Sequence, residues 1–325
     1  MLVALACMGV YIALFGVAAL VEQPIARVLD AFQLDALLRI GSAVVAIAIL
    51  GGAILFGLGG ATLPGLLAAL AGLGIGLISG TGSLCYCLAL DLLPSDLAAC
   101  LANGYLVVTV VLGVVLLHEP VTFFVLAGLA LTIGGAIVLS LRGRPGHSQA
   151  HSQSASGSGT LNVSRLALVA SPAGAAVPAA SGRRLGLTWL AGYVILVGVG
   201  AFLEKLALQH LAPLQLNALA ALGMVAVGLV AVGAAWMERS GSRPSAIEWR
   251  RMGLPALGIG AMIGAGSVFY FIALARMPVT VAAALANSYV LVTVVLAVPV
   301  FHQRMTWRKA GGVLAMLVGV VLLAL

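Results

Sequence analysis

The chain has 325 residues, of which 62% are hydrophobic and only 8% are charged, and its mean hydropathy is +1.20. Soluble domains carry about 25% charged residues, so this composition excludes a water-soluble protein and indicates an integral membrane protein. The net charge of +7 is therefore informative about membrane orientation, and nucleic acid is not an expected partner.

Apolar stretches of about 20 residues, enough to cross a bilayer, recur along the chain. We predict transmembrane helices at 3–29, 36–58, 64–91, 96–117, 122–141, 186–211, 214–236, 253–275, 280–301 and 307–325. The predicted fold class is an all-α integral membrane protein with ten transmembrane helices, five in residues 1–141 and five in residues 186–325. Residues 142–185 are rich in Ser, Gly, Ala, Gln and Pro, which predicts a flexible linker between the two sets.

The two sets of helices are copies of one unit. The stretch LANGYLVVTVVLGVVLLHEPVT at 101–122 returns as LANSYVLVTVVLAVPVFHQRMT at 285–306, with 12 of 22 positions identical. The offset is 184 residues here and 182 residues near the start of each half. Because each half has an odd number of helices, the second copy must enter the membrane from the opposite side. We therefore expect two inverted five-helix repeats, an arrangement that alternating-access transporters use.

The distribution of Lys and Arg predicts how the chain is oriented. With ten helices, 14 of the 16 Lys and Arg residues fall on the side of the linker, and only Lys205 and Arg276 fall on the other. The positive-inside rule then places the linker in the cytoplasm and both ends of the sequence outside. We expect a multi-pass protein of the cell's inner (plasma) membrane.

The end of each half carries the most specific pattern: a Pro, an apolar helix, a short polar turn and a Gly-rich last helix, from Pro94 to Leu141 and from Pro278 to Leu325. In this pattern the chain resembles the ten-helix, EamA-like members of the drug/metabolite transporter superfamily, and the resemblance covers all but the linker. FHQRMTWRKAGG is similar to a turn of the four-helix small multidrug resistance proteins. LLHEPVTFFVLAGLALTIGGAIVL is similar to subunits of the aminoarabinose-lipid flippase. Typical ten-helix members keep both termini in the cytoplasm, so the charge count departs from the family there.

Glu22 and Glu204 are the first candidate site residues. They occupy equivalent places in GVAALVEQPIA and GVGAFLEKLAL, and the resemblance implies that they bind protons and a cationic substrate in alternation. An ionisable group inside the membrane is a functional candidate, and burial disfavours the charged form of a carboxyl group, which helps it to exchange a proton. The alternative is that each Glu marks a helix end and pairs with Arg27 or Lys205. We expect roughly two helical turns, about 13 Å, beyond each Glu, which favours the first interpretation.

Repeated polar side chains on the third and fourth helices of each half form the second candidate group. Tyr105 and Thr109, like Tyr289 and Thr293, are four residues apart and share a helix face. The repeated Asn before each pair lies on another face. In lipid such groups need protein or water partners, so they line a substrate path or form hydrogen bonds between helices. The predicted path consists of Asn103, Tyr105, Thr109, Asn287, Tyr289, Thr293, Ser83, Tyr86, Ser267 and Tyr270.

Other repeated residues have a structural explanation. The Gly-rich third helices are expected to let backbones pack closely. His118 and His302 precede the last helix of each half, with Thr122 and Thr306 as expected N-caps; a proton relay through either His is the alternative. The four cysteines lie in apolar runs and are expected to be small buried hydrophobic residues, so no metal site is predicted.

The expected function is secondary-active transport, in particular proton-coupled export of a small organic metabolite or drug-like amphiphile. The alternative is a flippase for a polyprenyl-phosphate-linked sugar, in which Arg27 or Arg39 holds the phosphate. A channel or divalent-cation transporter is less favoured because few acidic residues lie in the apolar stretches. Expected partners are the lipid bilayer, protons and a small-molecule or lipid-linked substrate, for a monomer or homodimer. The sequence shows no catalytic constellation and no nucleotide-binding Gly loop, so we expect neither an enzyme nor a bound cofactor.

Overall fold

The computed structural model describes residues 1–25, 29, 31–57, 63–93, 95–119, 122–140, 180–238, 246–300 and 307–324. Most of the expected linker lies outside these residues, as do Arg27, Pro94, His302 and Thr306. Within the described part, every regular element is an α-helix. This agrees with the all-α fold class predicted from the sequence.

The described helices follow the predicted order. They are α1 (Leu2–Ile25), α2 (Ala31–Leu55), α3 (Leu66–Leu92), α4 (Ser95–Ala102), α5 (Gly104–Leu117), α6 (Phe123–Ser140), α7 (Ala180–Ala207), α8 (Pro213–Glu238), α9 (Ala246–Leu274), α10 (Val279–Ala286), α11 (Tyr289–Val300) and α12 (Trp307–Ala324). α7 begins before the predicted start at 186, so the last residues of the expected linker are helical.

The fourth predicted helix of each half is broken, which corrects the continuous helices expected at 96–117 and 280–301. α4 ends before Asn103, and α10 ends before Asn287 and Ser288. Bonds of the tighter i to i+3 type bridge each break: the N–H of Leu106 donates to the carbonyl of Asn103, and the N–H of Leu291 to that of Ser288. Asn and Ser compete with the helix for backbone hydrogen bonds, and the surrounding apolar pattern hides this signal.

Seven stretches of the described chain are long and apolar enough to cross a membrane. They are Leu2–Glu22, Phe32–Leu55, Leu66–Leu90, Gly182–Ala207, Pro213–Ala234, Met252–Leu274 and Val279–Val300. Three shorter apolar helices, Gly104–Leu117, Phe123–Val138 and Ala310–Leu323, accompany them. Many large apolar side chains are exposed on the outside of the bundle, including Leu2, Phe123 and Val230. Such a surface requires lipid, so the chain is a multi-pass membrane protein.

The helices of each half pack largely on those of the other half. α1 and α2 both pack on α9, α3 packs on α7 and α8, and α6 packs on α12. Glycines make the closest crossings possible, because a methyl group on Gly76 would overlap the carbonyl oxygen of Ala220, and one on Gly260 would overlap that of Leu38. The close packing expected of the Gly-rich third helices is confirmed at these positions.

The core of the bundle surrounds α10. All eight residues of this helix are buried, and Leu274, Met277 and Leu285 belong to the same apolar cluster. α10 therefore lies inside the bundle without a side toward lipid, and its free backbone groups need partners within the protein.

Candidate functional site

A cavity of about 470 Å³ lies between the two halves and is the candidate site. Residues from each of the helices α1 to α11 contribute to its wall, and both helix breaks open onto it. The lining residues on which the following paragraphs depend are Tyr11, Phe15, Ser42, Ser79, Ser83, Asn103, Tyr105, Tyr193, Glu204, Asn217, Ser267, Tyr270, Asn287 and Tyr289.

All six tyrosines of the chain gather at this cavity. Five of them line it, and Tyr86 packs beside the wall with its ring 5.0 Å from that of Tyr193. The matching pair, Tyr11 and Tyr270, has a ring separation of 5.3 Å. The sequence analysis omitted Tyr11 and Tyr193, although the offset of 182 residues relates them. The site is therefore richer in aromatic rings than the predicted path.

Glu204 is the one charged residue among the described residues that line the cavity. It is 8% exposed, and the Tyr270 hydroxyl donates a 3.4 Å hydrogen bond to its Oε2 atom. A carboxyl group surrounded by aromatic rings and apolar walls can bind a cation directly or hold a proton. The structure thus brings the predicted residues Glu204 and Tyr270 together.

Lys205 does not pair with Glu204 through a salt bridge in the described structure. Its Nζ atom donates 2.8 Å hydrogen bonds to the carbonyl oxygens of Leu274 and Met277. Leu274 is the last residue of α9 and Met277 lies at the end of the turn to α10, so the ammonium group stabilises that turn. α7 ends at Ala207, so one helical turn follows Glu204 instead of the two expected from the sequence.

Glu22 occupies a different environment from its repeat partner. It is also 8% exposed, but it does not line the cavity. It lies near Asp35 on α2 and near Tyr289 of the cavity wall, and Asp35 accepts a 2.5 Å ion-pair hydrogen bond from Arg39. The expected pairing with Arg27 lies outside the described residues. The two predicted carboxylates are therefore not equivalent.

The two helix breaks meet at the cavity wall. The Nδ2 atom of Asn287 donates a 3.1 Å hydrogen bond to Oδ1 of Asn103, and both residues line the cavity. The sequence analysis placed these residues on another helix face than Tyr105 and Tyr289. Because the helices are interrupted at the Asn residues, all four side chains share one wall.

Thr109 and Thr293 are fully buried away from the cavity. The Thr109 hydroxyl donates to the carbonyl of Gly198 on α7 at 3.2 Å, and the Thr293 hydroxyl donates to that of Gly16 on α1 at 2.9 Å. The contacts are equivalent in the two halves. They correspond to the hydrogen bonds between helices that the sequence analysis offered as the alternative to substrate lining.

The remaining predicted path residues divide between wall and interior. Ser83 and Ser267 line the cavity, and the Ser267 hydroxyl also donates to the carbonyl of Ile263 at 2.9 Å. Tyr86 is 4% exposed and its hydroxyl has no hydrogen-bond partner within the described part of the chain. Their roles in transport stay predictions.

Glu119 is a structural residue that the sequence analysis did not single out. Its carboxylate accepts hydrogen bonds from the N–H of Val279 at 2.6 Å, the N–H of Thr280 at 3.1 Å and the Thr280 hydroxyl at 2.9 Å. It thereby caps the N-terminus of the buried helix α10 from the other half of the chain. Only 8% of the residues in this chain are charged, so an acidic residue at this position was the sequence feature that could have indicated a specific contact.

The turn that holds Glu119 is otherwise as expected. His118 ends α5 in the left-handed conformation, with φ of 51°, and the Thr122 hydroxyl accepts a 3.2 Å bond from the N–H of Val125. The N-cap prediction for Thr122 is confirmed. No group of three or more His, Cys, Asp or Glu residues with metal-site geometry occurs among the residues that the structure describes.

Residues 184–325 match the family model described as the EamA-like transporter family. The match confirms the resemblance identified from the sequence for the second half of the chain. A solved structure, described only as the crystal structure of a protein, aligns with 98% of this chain and 95% of its own, with a TM-score of 0.70 and 18% identity. At that identity the likeness shows a shared fold alone. Among curated proteins, no sequence matches the chain.

Proposed function

We propose that this chain belongs to the drug/metabolite transporter superfamily and is a proton-coupled secondary transporter that exports a small organic amphiphile with a cationic nitrogen. The observation that carries the proposal is that Glu204 supplies the one carboxylate among the described residues of a cavity surrounded by tyrosines. Aromatic faces attract organic cations, and a desolvated site strengthens the attraction. The cavity volume of about 470 Å³ lies within the range of small-molecule sites, roughly 300–1,000 Å³.

In this proposal the protein consists of two inverted five-helix repeats, residues 1–141 and 186–325, joined by a cytoplasmic linker at 142–185. The seven long apolar stretches and three shorter apolar helices supply ten spans. Support comes from paired contacts, since the bond from Thr109 to Gly198 has its counterpart in the bond from Thr293 to Gly16. The cavity then opens to each side in turn as one repeat moves against the other.

Glu204 couples the proton to the cargo because one carboxylate cannot hold both. When the cation leaves, a proton takes its place and neutralises a charge that is costly in a low-dielectric site. The hydroxyl of Tyr270, already bonded to Glu204, stabilises the carboxylate while the cation is bound. Glu22 lies off the cavity wall, so we expect it to influence the rate of transport without contacting the cargo.

The test uses purified full-length protein in proteoliposomes with an imposed pH gradient. The probe is an aryl-alkyl trimethylammonium ion, because its permanent charge prevents passive accumulation. We expect wild type to accumulate the probe in proportion to the gradient and Glu204→Gln to lose this accumulation. Glu22→Gln is the matched control, and we expect it to bind the probe with wild-type affinity.

Two results would contradict the proposal. One is gradient-driven accumulation by Glu204→Gln at the wild-type rate, which would remove the carboxylate from the coupling step. The other is movement of a labelled polyprenyl-phosphate sugar between leaflets without any transport of the cation. That result would favour the flippase, although Arg39, one of its two expected phosphate ligands, is bonded to Asp35.

A further inference from the structure

Asn217 is a buried polar residue of the cavity wall whose amide nitrogen is left unpaired by the described part of the chain. The residue is 3% exposed and lines the cavity. Its Nδ2 atom has no hydrogen-bond partner among the residues that the structure describes. A buried amide donor left unpaired costs about 1–3 kcal/mol, so such a group in a native site points to a partner that arrives from outside the fold.

The matching residue in the first half makes a structural contact along its own helix that Asn217 lacks. Asn217 lies in LQLNALAALG, and its counterpart Asp35 lies in FQLDALLRIG. Asp35 bonds to Arg39 one turn along the same helix, whereas the residue in that place beside Asn217 is Ala221. The second half thus keeps a polar side chain here whose Nδ2 atom has no partner among the described residues. This difference separates the role of Asn217 from helix packing.

Asn217 is also well placed relative to Glu204. Glu204 lies three residues before the end of α7, and Asn217 lies four residues after the start of α8. At about 1.5 Å per residue, each is roughly one helical turn from the short connection between the two helices. Both side chains line the same cavity, and we expect one small molecule to reach both.

We propose that Asn217 is a specificity-determining residue that donates a hydrogen bond from Nδ2 to an acceptor atom of the cargo while Glu204 holds its cationic nitrogen. Rotation of the amide about its terminal torsion presents Nδ2 to the cavity. The inference rests on the proposed function and narrows its substrate class. The cargo is an organic cation with an ether or carbonyl oxygen a few bonds from the nitrogen, and purely hydrocarbon cations are poor substrates. Ser42 and Ser79, which also line the cavity, extend the polar part of its wall.

The test compares two probes of nearly equal size in the same proteoliposomes. They are (4-phenylbutyl)trimethylammonium and (2-benzyloxyethyl)trimethylammonium, which differ by one methylene replaced with an ether oxygen. In direct competition we expect wild type to favour the ether by about fivefold, the effect of one net hydrogen bond. Asn217→Leu removes the amide at similar volume and should bring the ratio to about one while it still transports the hydrocarbon cation.

Asn217→Ala is the second variant, because it removes the amide donor without adding bulk or charge to the cavity wall. It should also lose the preference for the ether, so the prediction stays testable if Asn217→Leu does not fold. Equal transport of the two probes by wild type overturns the role of Asn217 and leaves the proposed function intact, as does a preference retained by either variant. Failure of wild type to transport either probe overturns the proposed function and this inference together.

Discussion

Replacing Glu119 tests how the two halves of the protein are held together. Its carboxylate accepts three hydrogen bonds at the first turn of α10, two from backbone N–H groups and one from the Thr280 hydroxyl. All of α10 is buried, so few other acceptors are available to these donors. In Glu119→Ala the N-terminus of the helix loses its cap and its favourable negative charge.

The magnitude follows from those contacts. Loss of a helix cap costs about 0.5–2 kcal/mol, and donors left unpaired at a buried helix end add about 1–3 kcal/mol. We therefore expect Glu119→Ala to lower the free energy of unfolding by about 2–4 kcal/mol. Glu119→Gln keeps one acceptor oxygen and loses the charge, and the expected decrease is about 1–2 kcal/mol. Unfolding by SDS in mixed micelles, followed by tryptophan fluorescence, measures both values.

Lys205 provides the control for this prediction. It holds the same turn through the carbonyls of Leu274 and Met277, so Lys205→Met and Glu119→Gln should be non-additive in a double-mutant cycle, by about 0.5 kcal/mol or more. A decrease below about 0.5 kcal/mol for Glu119→Ala would refute the reasoning. It would mean that water or another group satisfies the N-terminus of α10 equally well.

Two further substitutions test the contacts between helices. A methyl group on Gly76 would overlap the carbonyl oxygen of Ala220, whereas one on Gly74 meets nothing within 4 Å. We expect Gly76→Ala to lower stability by about 1–3 kcal/mol or to prevent folding and Gly74→Ala to behave as wild type in thermal denaturation in detergent; equal effects would contradict the close crossing. Thr293→Val removes the hydroxyl bonded to α1 and should cost about 0.6–1.7 kcal/mol, measured by the same SDS titration, while Thr293→Ser retains the bond and should cost less.

The sequence allowed most of the helices to be located, because apolar runs of membrane length are a strong signal. It did not reveal the breaks at Asn103 and Asn287, since one polar residue hardly changes the mean hydropathy of a long apolar window. Tyr11 was missed for the same reason, as an isolated ring in an apolar run. The cap by Glu119 depends on a contact 160 residues along the chain, and local patterns carry no information about such a contact.

The duplication also explains where prediction from one repeat to the other holds and where it fails. Backbone contacts recur in both halves: Thr109 and Thr293 each donate to a glycine carbonyl on the first helix of the opposite half. Such contacts depend on helix geometry, which both copies must retain to pack together. Polar side chains at matching positions differ in their contacts. Asp35 is bonded to an arginine, whereas Asn217 lines the cavity and its Nδ2 atom has no partner among the described residues. For the proposed transport of a cation, a cavity shared by two related halves needs only one carboxylate, and a second at the same wall would repel it. The equivalence of the two glutamates in sequence therefore does not extend to their roles, and Glu204 is the residue expected to meet the cargo.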